Sequence, residues 1–368
     1  MALPEPSFIE RDPATVTAEN IALYESLSGK TLQPAQPEML LVNQISYREL
    51  LLRIGIQEAA KQCLVDYAIY PMIDYLGALV GVERLPAQYA VTTLQFTLSA
   101  TLAVDLLIPS SSLVATTDGL HTFATASDLT IVAGSLTGTV MATAETAGTS
   151  VNNYAIGTIT DLLSPLPYID SVSNVTTTSG GVDEETDDHL RERIKLAPES
   201  FSTAGARNAY IYWAKTAHQD IIDVAVTTDS EGYITIYPLA STGTPSAEML
   251  TAVQASCSAE DVRPLSDAIT TMAPTSKTTE INVGLVIYDS ADTAAVKTAA
   301  EAALTEYAAW LRSKLGRDVI RERITAVAGV DGVYRPTVIT PVADIINEIY
   351  EWCDCTAITV TITGTVAG

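Results

Sequence analysis

The sequence predicts an α+β multidomain protein: an N-terminal helical subdomain, an inserted all-β domain and a C-terminal α+β domain. Three observations carry this. Between Asn43 and Leu79, apolar residues recur at spacings of three and four, the period of a helix. From Leu85 to Val182 there is no Lys or Arg, and Thr, Ser, Ala, Val and Gly form short runs broken by turn residues. Beyond that, helical stretches alternate with period-two strands that do not pair in sequence order.

Residues 1–42 hold Pro4, Pro6, Pro13, Pro34 and Pro37, so they read as an extended arm around one short helix near Ala18 to Leu27. Such an arm either wraps a partner or leads into the first domain. In residues 43–84, Ile45, Leu52, Ile56, Ala59, Cys63, Tyr67 and Tyr70 mark one stripe of a long helix that Pro71 must end or kink. A second short helix, Met72 to Val80, closes at Gly81. Leu50, Leu51, Ile54, Leu64 and Val65 lie off that stripe, which makes both helix faces apolar. The stripe belongs either inside its own subdomain or in a bundle shared with other chains.

Residues 85–182 read as a small barrel or sandwich, with strands at Val91–Leu98 and Leu129–Val132 and turns at Thr117-Asp118-Gly119 and Ala133-Gly134. The few aromatics here, Tyr89, Phe96, Phe123, Tyr154 and Tyr168, fit core positions better than a sugar-stacking platform.

In residues 183–368 the entry Gly180-Gly181 is flexible. The acidic run Asp183, Glu184, Glu185, Asp187, Asp188 opens a helix whose end carries Arg191, Arg193 and Lys195, the order a helix dipole favours. Pro198 stops it, and Ser202, Thr203 and Gly205 restart the chain into a helix faced by Ala209, Trp213 and Ala217. Ile222, Val224 and Val226 alternate as a strand, and Tyr233 to Tyr237 pairs back across a turn at Asp229 to Gly232. Thr244 caps a helix lined by Met249, Leu250, Val253 and Cys257. Ile281, Val283, Leu285 and Ile287 form a strand. A helix from about Thr293 to Leu315 then shows Val296, Ala300, Ala303, Tyr307, Leu311 and Leu315 on one side. Gly316 ends it, a further helix runs through Ala328, and Ala357 to Ile362 is the closing strand.

The net charge of −24 argues against binding nucleic acid through its phosphates. It serves solubility, or it docks an acidic surface on basic segments of neighbours. No apolar run reaches the ~20 residues of a membrane span, and MALPEPSFIERDP has no signal-peptide pattern, so cytosolic synthesis is expected. Cys63, Cys257, Cys353 and Cys355 are too scattered for a disulfide framework or a zinc site. His121, His189 and His218 are isolated, and the run from Asp183 lacks the Gly and Glu of a calcium loop. With no phosphate loop, dinucleotide fingerprint or nucleophile elbow either, no catalytic, cofactor or metal residue is expected.

Several ordered blocks of this chain together resemble the baseplate J-like family of contractile phage tails and related injection systems. They are the Gly180-Gly181-x-Asp183-x-Glu185-x-Asp187-Asp188 opening, Leu190-Arg191-x-Arg193-Ile194, Ala204-Gly205, and Ala209-Tyr210 before Trp213-Ala214. Tyr47-Arg48-Glu49, Gly77 to Arg84, Val262-Arg263-Pro264-Leu265 and Leu315-Gly316-Arg317-Asp318 add to the likeness. The resemblance implies a structural wedge component of the baseplate, with no enzymatic activity and no cofactor. It would be made in a bacterial host cytoplasm and sit in the virion tail. Implied partners are a second copy of itself, a small wedge subunit similar to tail protein I, and sheath-initiator or hub baseplate proteins; neither nucleic acid nor membrane is among them. The interface is then expected on stripe positions Leu52, Ile56, Cys63, Leu64, Tyr67, Tyr307, Leu311 and Leu315, which suit an internal core equally. Arg84 to Gln88 and Ser179 to Gly181 are the expected hinges, and residues 183–368 include an expected dimerisation region. The competing reading is a host-surface glycan-binding adhesin acting through residues 85–182.

Overall fold

A computed structural model describes residues 4–201, 206–230, 232–260, 262–264 and 266–367. The expected restart at Ser202, Thr203, Ala204 and Gly205, and Glu231 and Leu265, lie outside them. The chain divides into two compact units, Met1–Glu83 with Leu190–Pro198, and Arg84–His189 with Glu199–Gly368.

The first unit is helical. Helix α1 spans Pro13–Ser28: Asp12 caps it by accepting from the Thr15 N–H at 2.8 Å, and Gly29 ends it at φ 66°. Helix α2 spans Pro37–Lys61. The stretch expected as an extended arm therefore holds one whole helix and the start of another. Pro13 and Pro37 sit in the first helical turn, where the missing N–H has no partner to lose.

The long helix expected to reach Pro71 stops at Lys61. Cys63 N–H turns back to Ala60 O and Leu64 N–H to Lys61 O, and the Gln62 side chain accepts from Ile69 N–H at 2.9 Å. Cys63, Leu64, Tyr67 and Tyr70 thus sit in a turn-rich connection rather than on a helix stripe. Helix α3, Met72–Ala78, follows, and Gly81 takes φ 73°. The later helix α4, Asp187–Leu196, sends its second half back into this unit, burying Leu190 and Ile194. Gly77 allows that approach: a Cβ there would meet Val82 O at 2.7 Å and the Ile194 side chain at 3.3 Å.

The second unit begins with the β-domain. Its strands are β1 (Tyr89–Leu98), β2 (Leu106–Ile108), β3 (Leu113–Thr116), β4 (Thr122–Thr125), β5 (Leu129–Ile131), β6 (Thr137–Ala147), β7 (Ile159–Leu162) and β8 (Ile169–Asn174). Six of them form one antiparallel sheet in the order β7-β3-β4-β6-β1-β8, and β2 pairs with β5. The end strands β7 and β8 come back against each other, so the sheet nearly closes. Along β1 every second residue points inward, and Ala90, Leu94, Phe96 and Leu98 meet Phe123, Ala142 and Ile159 in the core. Burial of this apolar set is what holds a domain without a single Lys or Arg together.

Next come α5 (Arg207–Ala217), β9 (Ile221–Ser230), β10 (Tyr233–Ala240), α6 (Ala247–Ser258) and β11 (Ala268–Thr271). β9 and β10 form the expected hairpin, and β11 joins β10 in parallel. One sheet face carries Tyr210, Ala214, Val253 and Cys257 from the two helices. The cap of α6 is Ser246, accepting from Met249 N–H at 3.2 Å, not Thr244; Pro245 precedes the cap.

The last module places α7 (Thr293–Arg312) and α8 (Arg321–Ala328) on a sheet of β12 (Thr275–Tyr288), β13 (Val333–Thr340) and β14 (Glu351–Val366), with β12 central and β14 parallel to it. Val296, Ala300, Leu304, Tyr307 and Leu311 of α7 pack on Ile281, Val283, Leu285 and Ile287. The expected interface residues Tyr307, Leu311 and Leu315 are buried here. The first two lie in this core, and Leu315 lies with Leu239 and Trp352 where the β10 sheet meets it. In the free chain these positions face sheets of the same chain.

Candidate assembly interface

Helix α2 is turned inside out. Its inward face is largely polar: after buried Val42, Ser46 and Gln57 are covered, with Glu49 and Arg53 half-buried between them. Asn20 of α1 donates to Ser46 Oγ at 3.2 Å and Glu49 Oε2 at 2.7 Å. Arg53 pairs with Glu49 at 2.6 Å and Glu19 at 2.8 Å. Gln57 accepts from Phe8 N–H at 2.9 Å and donates to Pro6 O at 2.7 Å, and Lys61 pairs with Glu5 at 3.0 Å. Residues 5–12 are thereby laid along α2 through polar bonds, as buried amides and charges require. The Glu49 carboxyl is held below its usual range, first by the Asn20 hydrogen bond and then by Arg53.

The outward face carries the apolar residues. Leu40, Leu41, Ile45, Tyr47, Leu51, Leu52, Ile54 and Ile56 are all exposed, Leu52 at 68 % and Ile56 at 53 %. Leu41, Ile45, Leu52 and Ile56 follow spacings of four, seven and four, which places them on one side of the helix. Leu23 and Leu27 of α1 extend this surface. Of the residues predicted for the interface, Leu52, Ile56, Cys63 and Leu64 are exposed in this unit and Tyr67 is half-buried. Tyr307, Leu311 and Leu315 belong to the second unit and are buried there. Sequence reasoning missed Leu40, Leu41 and Tyr47; the signal that finds them is the polar set at Ser46, Glu49, Arg53 and Gln57, which marks the inward face by elimination.

The motif residues that prompted the family resemblance serve as fasteners. In the first unit Arg191 donates to Val65 O and Ala68 O, each at 2.8 Å, and Arg193 to Glu83 O at 3.1 Å, while Lys195 pairs with Asp66. Arg191 thereby closes carbonyls of the connection after α2, and Arg193 one beyond α3. In the second unit Gly181 is pressed on the chain: a Cβ would lie 2.3 Å from Gly148 O. Asp183 accepts from Thr149 N–H and hydroxyl at 2.9 and 2.7 Å, which holds its carboxyl below the usual range. Buried Glu185 accepts from Leu85 N–H at 2.9 Å and pairs with His189, and Arg84 pairs with Asp187 at 2.7 Å. The entry expected to be flexible, and a hinge, is instead bonded to the strand start by Gln88–Val182 and Val91–Ser179 bridges. The acidic run straddles the start of α4: Asp183 to Glu185 are extended, and Asp187 and Asp188 form its first turn, as expected.

The barrel aromatics divide. Phe96 and Phe123 are core residues, but Tyr89 and Tyr168 are exposed and Tyr154 half-buried, contrary to the expectation for all five. Tyr168 lies beside Ser99, at the far end of β1 from Tyr89, about 30 Å along the strand, so the two make no shared stacking surface. Among the described residues no group of three or more His, Cys, Asp or Glu is placed to hold a metal ion, and no helix is long and apolar enough to cross a membrane.

Comparison with known proteins follows this layout. Residues 35–90 match the baseplate J-like N-terminal domain, 93–181 the baseplate J-like protein barrel domain, 202–273 the baseplate J-like central domain, and 279–361 the baseplate J-like protein C-terminal domain. The chain belongs to the baseplate J-like family. Baseplate protein J of Escherichia phage P2 is 32 % identical over 174 residues, which cover 47 % of this chain and 57 % of that protein. The solved structure of the anti-feeding prophage baseplate, 6-fold symmetrised by cryo-EM, contains a chain 14 % identical with a TM-score of 0.48; the match spans 94 % of this chain and 90 % of that one. In this baseplate J-like chain the inverted helix α2 falls within the N-terminal domain, and the Gly181 fastener ends the barrel domain.

Proposed function

We propose that this chain is a structural component of the baseplate in a contractile phage tail or a related contractile injection system, and that it acts without enzymatic chemistry. Family membership supports the baseplate role. One observation carries the mode of action: α2 spends its polar face on its own chain and leaves its apolar face to solvent. A soluble monomer has no use for a row of exposed Leu and Ile on a helix. Helices of other subunits fit it, in the manner of a helix laid into an apolar groove.

The occupants we assign are a second copy of the chain and a small wedge subunit similar to tail protein I, bundled on α2 and α1. Sheath-initiator or hub proteins border the assembled wedge in the virion tail baseplate. In this reading the barrel and the C-terminal modules are rigid bodies that swing on such interfaces when the ring changes state, linking host sensing to sheath contraction.

The test is co-expression with the products of the adjoining tail genes, followed by light scattering on the eluted species and thiol labelling. Exposed Cys63, just past the end of α2, should lose its reactivity in the assembled state. A chain that stays monomeric beside every neighbour, with Cys63 labelled at an unchanged rate, refutes the proposal.

A further inference from the structure

A quarter of the chain's Lys and Arg, five of 20, fall within residues 312–323: Arg312, Lys314, Arg317, Arg321 and Arg323, against only Asp318 and Glu322. In a chain of net charge −24 this is a concentrated cationic patch. Trp310 organises it. The guanidinium carbons of Arg317 and Arg323 each lie 4.0 Å from a Trp310 ring centroid. At that distance both guanidiniums make a cation–π contact with the indole. Tyr307 stacks beside it, with centroids 5.8 Å apart and planes at 16°.

The two arginines are unequal. Arg317 is tied to Trp310 O and to Ser313 Oγ. Arg323 is exposed, and neither its fork nor the Lys314 ammonium has a hydrogen-bond or ion-pair partner among the described residues. Of the nearby carboxylates, Asp223 accepts from Leu315 N–H and Asp318 from Asn347 N–H, while Asp354 pairs with Arg312 of the patch at 3.7 Å. Arg317 is pushed below its ordinary value by burial first, and by the like charge of Arg323, against the pull of Asp223. Contact with the indole therefore holds two cations together that no carboxylate of their own module neutralises, the arrangement of a receptor for carboxylates.

The same chain carries the complement. The barrel, Leu85 to Val182, has no Lys or Arg and six carboxylates, Asp105, Asp118, Asp128, Glu145, Asp161 and Asp170, all on exposed positions. We propose that the Arg317–Trp310–Arg323 cluster docks the acidic barrel of a second copy of this chain. The two surfaces differ, so the contact is head-to-tail and can extend copy by copy into a ring or row. It is independent of the apolar α2 face and goes beyond the role proposed for it.

Sedimentation velocity on the full chain tests this at about 20 mM and about 500 mM salt, a range over which screening of exposed charges changes strongly. Low-salt, concentration-dependent association that disappears at high salt is expected. Arg323→Glu and, separately, Lys314→Glu should each weaken it at least tenfold. Lys314 is exposed outside the cluster, so it carries the test if Arg323→Glu proves unstable. Zero-length carbodiimide coupling of mixed heavy- and light-isotope chains should join Lys314 to carboxylates of residues 105–170 between copies. Association through α2 would persist at high salt and in both variants, so the two contacts fail separately. A monomer at low salt, association indifferent to both substitutions, or coupling of Lys314 only outside the barrel overturns the proposal.

Discussion

If α2 is a partner's helix face, removing its apolar residues should leave the free chain intact and cripple the assembly. The double substitution Leu52→Gln with Ile56→Gln states this sharply. Gln is close to Leu and better than Ile in helix propensity, so α2 itself is not weakened. The two side chains are 68 % and 53 % exposed, so they contribute little to the monomer's own core. The melting midpoint of the free chain should stay within the shift caused by ~0.5 kcal/mol, the usual range for surface changes. In a partner's groove the remaining area would be covered. Full burial of one such side chain gains about 1.5–3 kcal/mol, so the uncovered fractions of the pair are worth roughly 2–3.5 kcal/mol to the complex. Affinity for the adjoining wedge subunit should then fall roughly 30- to 400-fold.

The assay pairs thermal melting of the free variant with titration calorimetry against the co-purified partner. Two results refute the reasoning. One is a melting loss equivalent to a core truncation, about 2–5 kcal/mol, which would mean that this face is internal. The other is unchanged partner affinity, which would mean that the face is idle.

Five further outcomes follow from particular contacts. Gln57→Ala leaves Phe8 N–H and Pro6 O without partners, at a cost of about 1–3 kcal/mol; hydrogen exchange should rise in residues 5–12 while the barrel is unaffected. Gly181→Ala forces a methyl against Gly148 O, and thermal unfolding should show a loss of about 2–4 kcal/mol, with no loss for Ala at the unobstructed Gly55. Among the thiols Cys63 should react first with a disulfide reagent at neutral pH, while Cys257, whose thiol burial pushes up to about 12, should react only on unfolding. That raised value also stabilises the fold fully below about pH 9 and progressively less from there to about pH 12, so Cys257→Ala should flatten the alkaline limb of stability against pH. Asp183 acts in the opposite direction: its lowered folded value adds stability above the ordinary carboxylate range that is lost as pH falls through the folded value, and Asp183→Asn should flatten the acid limb.

The order of modules was legible because each has its own period. The missing cations from Leu85 to Val182, the alternation at Ile281 to Ile287 and the stripe at Val296 to Leu311 all correspond to elements where burial follows sequence pattern. Legibility failed where a side chain does the work of a backbone pattern. The apolar spacing of α2 continues past Lys61 through Cys63 and Tyr67, yet the helix ends there. Arg191, more than a hundred residues away, supplies donors to the Val65 and Ala68 carbonyls that follow. The glycines at 180 and 181 read as flexible because glycine permits motion. Here Gly181 is demanded by a carbonyl 2.3 Å from its absent Cβ, and its neighbours are bonded in place.

The candidate interface was half legible for the same reason. A stripe of Leu and Ile states only that something covers it. For Tyr307 and Leu311 that something is a β-sheet from the same chain, and the alternating strand at 281–287 was already present in the sequence to supply it. Leu52 and Ile56 stay exposed in the first unit; the groups that meet α2 include Glu5, Phe8 N–H, Glu19 and Asn20, and these engage its polar side. A helix whose own chain mainly satisfies its charges and amides keeps an exposed apolar surface, which the proposed partner helices would cover. That asymmetry, rather than the hydrophobicity of either stripe, distinguishes an interface from a core.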